Sequence, residues 1–340
     1  MPGNVSSIQF LRFVAATLVV FVHATEATNV YWSRSTPEMF SNFAVFGAVG
    51  VHIFFVISGF IMFYTTQNRF GRTSNAKSFL IRRLIRIYPI FWIYTVLYLV
   101  VRGVFMHPYD LSISQIFAST LLVPGFAPSV IGPGWTLPFE MFFYLCFSVV
   151  MLLSFRAGIA ILTTVFVVLV GIGSFLENDN PILKLVTNSL LLEFLFGVWV
   201  GIFVTYGPPV HRRIANVFLV LAFLGFSVGF FVGFFRYPSV IMWGIPSALL
   251  IAGVVLQERN GAAPKFVTKF AFFGDSSYSL YLLHVIVIDV FILIFVSLFK
   301  DFDIDPIVVT IALAFFAFWI GMLGYYLVEQ KLLRVMKALI

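Results

Sequence analysis

A polytopic all-α membrane protein of about ten transmembrane helices is the fold class this sequence predicts, and three observations predict it. The 340 residues are 61% hydrophobic and only 10% charged. Mean hydropathy is +1.04, so too few polar residues exist to cover a soluble surface. Apolar runs long enough to cross a bilayer, roughly 20 residues each, recur along the whole chain.

The runs fall at residues 8–24, 45–65, 79–101, 135–155, 158–176, 189–206, 214–232, 239–256, 276–299 and 306–328. Residues 1–7 carry no Lys or Arg, and the first apolar stretch contains Arg12. That pattern fits a retained helix rather than a cleavable signal. Residues 113–123 are apolar but short, which suits an interfacial or re-entrant segment. The following PGFAPSVIGPGW cannot be regular helix. It must lie outside the hydrocarbon or line a protein cavity. One membrane domain over residues 1–340 is expected, with no soluble extracytoplasmic domain.

Lys and Arg set the expected orientation. With the N-terminus in the cytoplasm, only Arg34, Arg102, Lys184, Arg236 and Lys300 fall outside, and Arg12 lies within the first span. The other 15 of the 21 cations face the cytoplasm. The acids Glu26, Glu38, Asp110, Glu177, Asp179, Asp301, Asp303 and Asp305 fall outside. Both termini are then cytoplasmic. This topology accounts for the net charge of +7 without a nucleic-acid partner. The single cysteine, Cys146, excludes an internal disulfide and a cysteine metal site. The five histidines are scattered without paired spacing, so no metal is expected.

Ionisable groups at membrane depth are costly and mark function. Arg12 and His23 are 11 residues apart, three turns plus roughly 20°, with roughly 16 Å of rise between them. Both face one way, which implies a cavity on that side. Arg82, Arg83 and Arg86 open the third span at its cytoplasmic end. Planar guanidiniums suit phosphate, and the helix N-terminus adds positive potential. Positive-inside topology alone would also place arginines there. Glu140 sits roughly 8 Å below the outer end of the fourth span, at a depth similar to that of His23. A carboxylate there can fix an imidazole tautomer and leave the second nitrogen as a base. His52, Glu193 and Asp289 fall in the outer half, where structural polar contacts are expected. His284 follows Ser277 and Tyr281 on one helix face, which suits a polar lining or interhelical hydrogen bonds.

The ordered markers are Arg12 and His23, then GVHIFFVISGFIMF, RRLIRIYPIFW with Arg83 and Arg86, GWTLPFEMFFYL with Trp135 and Glu140, and SSYSLYLLH ending in His284. In these the chain resembles the membrane-bound acyltransferase-3 family over nearly its whole length. The similarity is to stand-alone bacterial members, the ExoZ-like branch among them, that O-acylate exopolysaccharide or lipopolysaccharide sugars. The resemblance implies ten helices in a bacterial inner membrane. It implies acyl-CoA, most simply acetyl-CoA, as co-substrate with no bound cofactor, and a hydroxyl of a polysaccharide or lipid-linked sugar as acceptor. It also implies that Arg12 and His23 are essential and that Arg83 and Arg86 form a functional motif.

The expected mechanism places the donor phosphates at Arg83, Arg86 and Arg82. His23 is the general base, with Glu140 orienting it. Arg12 or a backbone N–H stabilises the oxyanion. Trp135, Tyr281, His284 and His52 are candidate pore or acceptor linings. A secondary transporter, or a non-catalytic subunit of a polysaccharide assembly complex, would share the composition. No repeat between halves supports the transporter.

Overall fold

The computed structural model describes residues 5–106, 112–124, 129–176, 179–233 and 236–338. Asp110, Glu177 and residues 125–128 of the Gly/Pro-rich stretch lie outside the described residues. Among the described residues all regular structure is helical. In chain order the α-helices are α1 (Ser6–Tyr31), α2 (Glu38–Val45), α3 (Val49–Thr66), α4 (Thr73–Phe105), α5 (Ile113–Thr120), α6 (Leu137–Val150), α7 (Phe155–Gly173) and α8 (Pro181–Val186). They continue as α9 (Leu190–Tyr206), α10 (Arg212–Val232), α11 (Ile245–Arg259), α12 (Lys265–Phe270), α13 (Ser277–Phe299), α14 (Pro306–Gly324) and α15 (Gln330–Ala338). Two π-helical turns, Val240–Gly244 and Tyr325–Glu329, run directly into α11 and α15.

Nine helices among the described residues are long and apolar enough to cross a membrane. The tenth crossing, expected at 135–155, is built differently. α6 has 14 residues, about 21 Å of helix, short of the roughly 30 Å hydrocarbon core. A 3₁₀ turn, Gly132–Thr136, feeds straight into it. The Gly71 N–H donates to the Met151 carbonyl, so α6 ends on the face from which α4 departs. The described residues between 112 and 151 therefore make the return traverse in pieces. α5 begins at a Ser112–Gln115 capping box. It ends where Tyr88 Oη and Trp92 Nε1 donate to the Leu121 and Thr120 carbonyls. Trp92 lies about 20 Å along α4 from its far end, so α5 is re-entrant. Val130, Ile131, Pro133 and Gly134 are buried. The irregular backbone is thus sheltered within the protein, the second of the two placements the sequence allowed.

Hydrogen bonds tie the helix ends into two faces. The Ser6 and Ser7 N–H groups donate to Glu258 at the end of α11, and Gln9 donates to Asp275 just before α13. Glu329, past the end of α14, accepts from Ser279 in α13. This face also carries Arg69, Arg72, Arg82, Arg156 and Arg259, and is called the arginine face below. On the opposite face Trp32 donates to the Ile304 carbonyl and Arg34 pairs with Asp303.

α3 lies at the centre, against α1 on one side and α9 on another. Apolar packing alone does not drive helices together in lipid, so close backbone approach matters more. A Cβ on Gly59 would sit 1.9 Å from the Phe194 carbonyl oxygen, and one on Gly197 at 1.9 Å from that of Val56. The two glycines let α3 and α9 touch backbone to backbone. On the outer surface Phe223, Leu224 and Val228 of α10 are exposed, as a lipid-facing belt requires.

Gly59→Val and Gly197→Val are each expected to lower stability by about 1–3 kcal/mol or more. The fall should appear as a lower melting temperature of the detergent-solubilised protein. A conservative change at lipid-facing Val228, to Leu, should leave it in place.

Candidate functional site

α1 and α13 run side by side, and the polar residues of both helices meet along this seam. At the end nearer the arginine face Arg12 shares a cavity with Ser277, Tyr278 and Tyr281 of α13, Arg83 and Arg86 of α4, Ser58 of α3, and Glu140 and Tyr144 of α6. Its volume of about 120 Å³ has room for several waters.

Each side chain has an identifiable hold. Arg12 is buried, and its Nη1 donates to Gln9 Oε1 at 2.7 Å. Gln9 passes the tether to Asp275 at 2.7 Å. The charged groups nearest Arg12 include Arg86, Glu329, Asp275 and Glu140. Arg83 lies over the Phe79 and Tyr144 rings, 5.4 and 5.6 Å from their centroids. These are cation–π contacts, which hold the guanidinium without a carboxylate. Its Nε is buried and has no hydrogen-bond partner. Glu140 engages none of the three arginines within ion-pair distance. Its Oε1 accepts from Ser58 Oγ at 3.1 Å and from Tyr144 Oη. It sits in the first turn of α6, where the helix dipole favours a negative group. The cavity therefore gathers three guanidiniums against one carboxyl, and the carboxyl is occupied by hydroxyls. Such a site is built for an incoming anion.

The sequence paired Glu140 with His23, and the structure separates them. α1 runs about two turns beyond its expected end, to Tyr31, and α6 is entered through the 3₁₀ turn. Glu140 therefore joins the arginine cavity, while His23 lies further along the seam. His23 finds its carboxylate on its own helix: Nδ1 is 3.0 Å from Glu26 Oε2. Glu26 was expected beyond the span, yet it stands at i+3 from His23 on the prolonged α1. The His23 ring centroid is 5.2 Å from that of His284, and the His23 side chain is 35% exposed.

His284 is fully buried. Its Nδ1 donates to the Leu280 carbonyl at 3.0 Å, which leaves the lone pair on Nε2. That Nε2 is buried without a hydrogen-bond partner. Tyr281 joins the two ends of the seam. It lines the arginine cavity, its ring lies 6.1 Å from His284, and its hydroxyl donates to the Pro133 carbonyl at 3.0 Å. The Ser277, Tyr281, His284 row thus provides both a polar lining and interhelical contacts.

Other expected residues fall elsewhere. Arg82 is exposed and outside the cavity; it lies one residue from Arg83 on the helix and points a different way. His52 does not line the cavity. It pairs with fully buried Glu193 at 2.8 and 2.9 Å and stacks on Trp243, a structural contact of the kind expected for both. Asp289 accepts from Tyr98 Oη at 2.6 Å. Trp135 is exposed and lines a separate cavity. Glu329 was placed in a cytoplasmic tail by hydropathy. It is buried, and its Oε2 accepts from the Ser279 N–H and hydroxyl at 3.1 and 2.6 Å. Among the described residues no cluster of His, Cys, Asp or Glu could hold a metal ion.

The family described as an acyltransferase domain, Acyl_transf_3, matches residues 5–326 of the chain. The exopolysaccharide production protein ExoZ of Rhizobium meliloti (strain 1021) is 30% identical over 253 residues, covering 72% of this chain and 77% of that protein. Nodulation protein 10 of Rhizobium leguminosarum bv. viciae is 25% identical over 383 residues, covering 99% and 96%. No solved structure matches the chain.

Glu329→Leu leaves the buried Ser279 N–H without its acceptor and is expected to cost on the order of 1–3 kcal/mol. Glu329→Gln keeps an acceptor oxygen and should recover most of that loss. Thermal unfolding in detergent distinguishes the two variants.

Proposed function

This chain belongs to the membrane acyltransferase-3 family and is an acyltransferase, and we propose that it moves an acyl group, acetyl by preference, from acyl-CoA to a hydroxyl of an exported polysaccharide or its lipid-linked precursor. The polysaccharide follows from the similarity to ExoZ, an exopolysaccharide production protein. The observation that carries the donor assignment is the set of Arg12, Arg83 and Arg86 guanidiniums, none in an ion pair with a carboxylate, in one cavity.

We place the arginine face in the cytoplasm of a bacterial inner membrane, as the Lys and Arg bias directs. Acyl-CoA docks there. Its phosphates meet Arg83 and Arg86, with Arg82 available at the mouth. The long pantetheine arm runs along the α1–α13 seam, past Arg12 and Tyr281, and carries the thioester toward His23.

Glu26 holds His23 through Nδ1–H, which leaves Nε2 as the general base. The acceptor hydroxyl gives its proton to Nε2 while its oxygen bonds to the thioester carbonyl. The tetrahedral intermediate then collapses, the C–S bond breaks, and the coenzyme thiolate leaves and takes up the proton. The separation of roughly 16 Å between Arg12 and His23 along the helix bears on the division of labour. Arg12 serves the donor, and a nearer N–H must meet the oxyanion at His23. His284 neighbours His23 with an open lone pair; it is placed to accept a hydrogen bond from the imidazolium until the thiolate takes the proton.

Membranes carrying the protein, supplied with radiolabelled acetyl-CoA, should label polysaccharide. His23→Ala should lower transfer by a factor of roughly 10²–10⁴. Arg83→Ala with Arg86→Ala should raise the KM for acetyl-CoA and leave the acceptor KM in place. Full transfer by His23→Ala, or unchanged donor affinity in the double variant, would overturn the corresponding assignment.

A further inference from the structure

The second cavity, of about 320 Å³, lies between α5, the 3₁₀ turn and α8. Its depth follows from α7. That helix starts just beyond Met151, on the arginine face, and runs 19 residues across the bundle. Its last residue, Gly173, packs against Thr187, beside Lys184 and Asn188 of the cavity. The cavity therefore opens at the face opposite the arginines, where the described mechanism requires no anion.

Its lining combines a flat aromatic surface with unengaged hydrogen-bonding groups. Trp135 is 48% exposed, and Phe139 backs it edge-on at 6.0 Å. Ser129 and Asn188 line the same cavity. Asn188 uses its Oδ1 to cap Leu190 N–H at 2.9 Å, which leaves both amide protons for a ligand. Among the described residues Lys184 is the one cation in the lining, and Asp179 pairs with it at 3.0 Å.

We infer that this cavity is a binding subsite for neutral hexose units of the acceptor chain, with Trp135 stacking on a sugar ring and Asn188 and Ser129 bonding its hydroxyls. The inference rests on the proposed carbohydrate acceptor. An amphipathic sugar ring presents C–H groups on its face and hydroxyls at its rim, which matches an aromatic wall with amides and hydroxyls beside it. A uronate or phosphorylated sugar would need an unpaired cation, and among the described residues of the lining none stands unpaired. The subsite also connects to the chemistry. Trp135 and Thr136 are neighbours on the 3₁₀ turn; Thr136 meets the Tyr281 hydroxyl at 3.1 Å, and Tyr281 leads to His284 and His23. A polymer is extended, so one unit anchored at Trp135 can position another near His23.

The test uses the full-length protein in nanodiscs and a short neutral gluco-oligosaccharide. Binding is followed by tryptophan fluorescence, and transfer by acetyl-CoA consumption with the polysaccharide from the producing cell. Trp135→Ala should abolish the fluorescence response and raise the acceptor KM roughly tenfold, with the acetyl-CoA KM unchanged. Asn188→Asp keeps the Leu190 cap and removes the amide donors; it should raise the acceptor KM several-fold at unchanged melting temperature. Trp135→Phe should bind more weakly than the wild type and more tightly than Trp135→Ala. An acceptor KM unmoved in both Trp135→Ala and Asn188→Asp would overturn the subsite. So would quenching of Trp135 by brominated lipid that the oligosaccharide fails to relieve. Trp135-dependent binding without transfer to any carbohydrate would support the subsite and overturn the proposed reaction instead.

Discussion

Polar groups cannot stand alone in an apolar bundle, and that constraint organises this molecule. Each ionisable side chain within the helices must find a partner, a cavity or a face. α1 and α13 solve the problem together by aligning their polar residues along one seam. Arg12 meets Ser277 and Tyr281 at one end, and His23 meets His284 at the other. The remaining helices hold that seam closed to lipid. α3 backs it through its own contact with α1, and the glycine contacts that fix α9 against α3 keep the wall thin enough for Ser58 to reach Glu140.

The two ends of the seam differ in chemistry. The arginine end is cation-rich, and its single carboxyl accepts from two hydroxyls and pairs with none of the three guanidiniums. The histidine end lies away from these three guanidiniums. It offers a held imidazole, a second imidazole with an open lone pair, and exposure toward the opposite face. The proposed reaction, which brings an anionic donor to one side of the membrane and a neutral hydroxyl to the other, would use this asymmetry. The interrupted crossing serves the same arrangement. By breaking the helix before α6, the chain places a helix N-terminus beside Glu140 and a 3₁₀ turn between Tyr281 and the Trp135 cavity.

Hydropathy located the crossings well, because span length is set by the bilayer and not by tertiary contacts. Nine of the expected ten appear as continuous helices. The 135–155 crossing is a shorter helix, since Pro133 and the flanking glycines break the backbone before it. The alignment of Arg12 with His23 was legible from helical period alone, as was the row of Ser277, Tyr281 and His284. Partners on different helices were not. Glu140 and His23 share a depth on paper, but depth does not specify which helices touch. Glu26 and Glu329 were missed because hydropathy ended their helices too early. Nothing in residues 25–31 breaks a helix, and an i, i+3 scan from His23 would have reached Glu26. Glu329 required the π-helical turn that extends α14 inward, which no local pattern announces.

In the proposed reaction donor and acceptor act from opposite ends of one seam. Vesicles of defined orientation carrying the protein, with membrane-impermeant acetyl-CoA supplied on one side only, test it most directly. Label should reach polysaccharide on the far side when acetyl-CoA meets the arginine face, and none should transfer when it meets the face toward which His23 opens. Transfer from acetyl-CoA confined to the His23 side would contradict the claim.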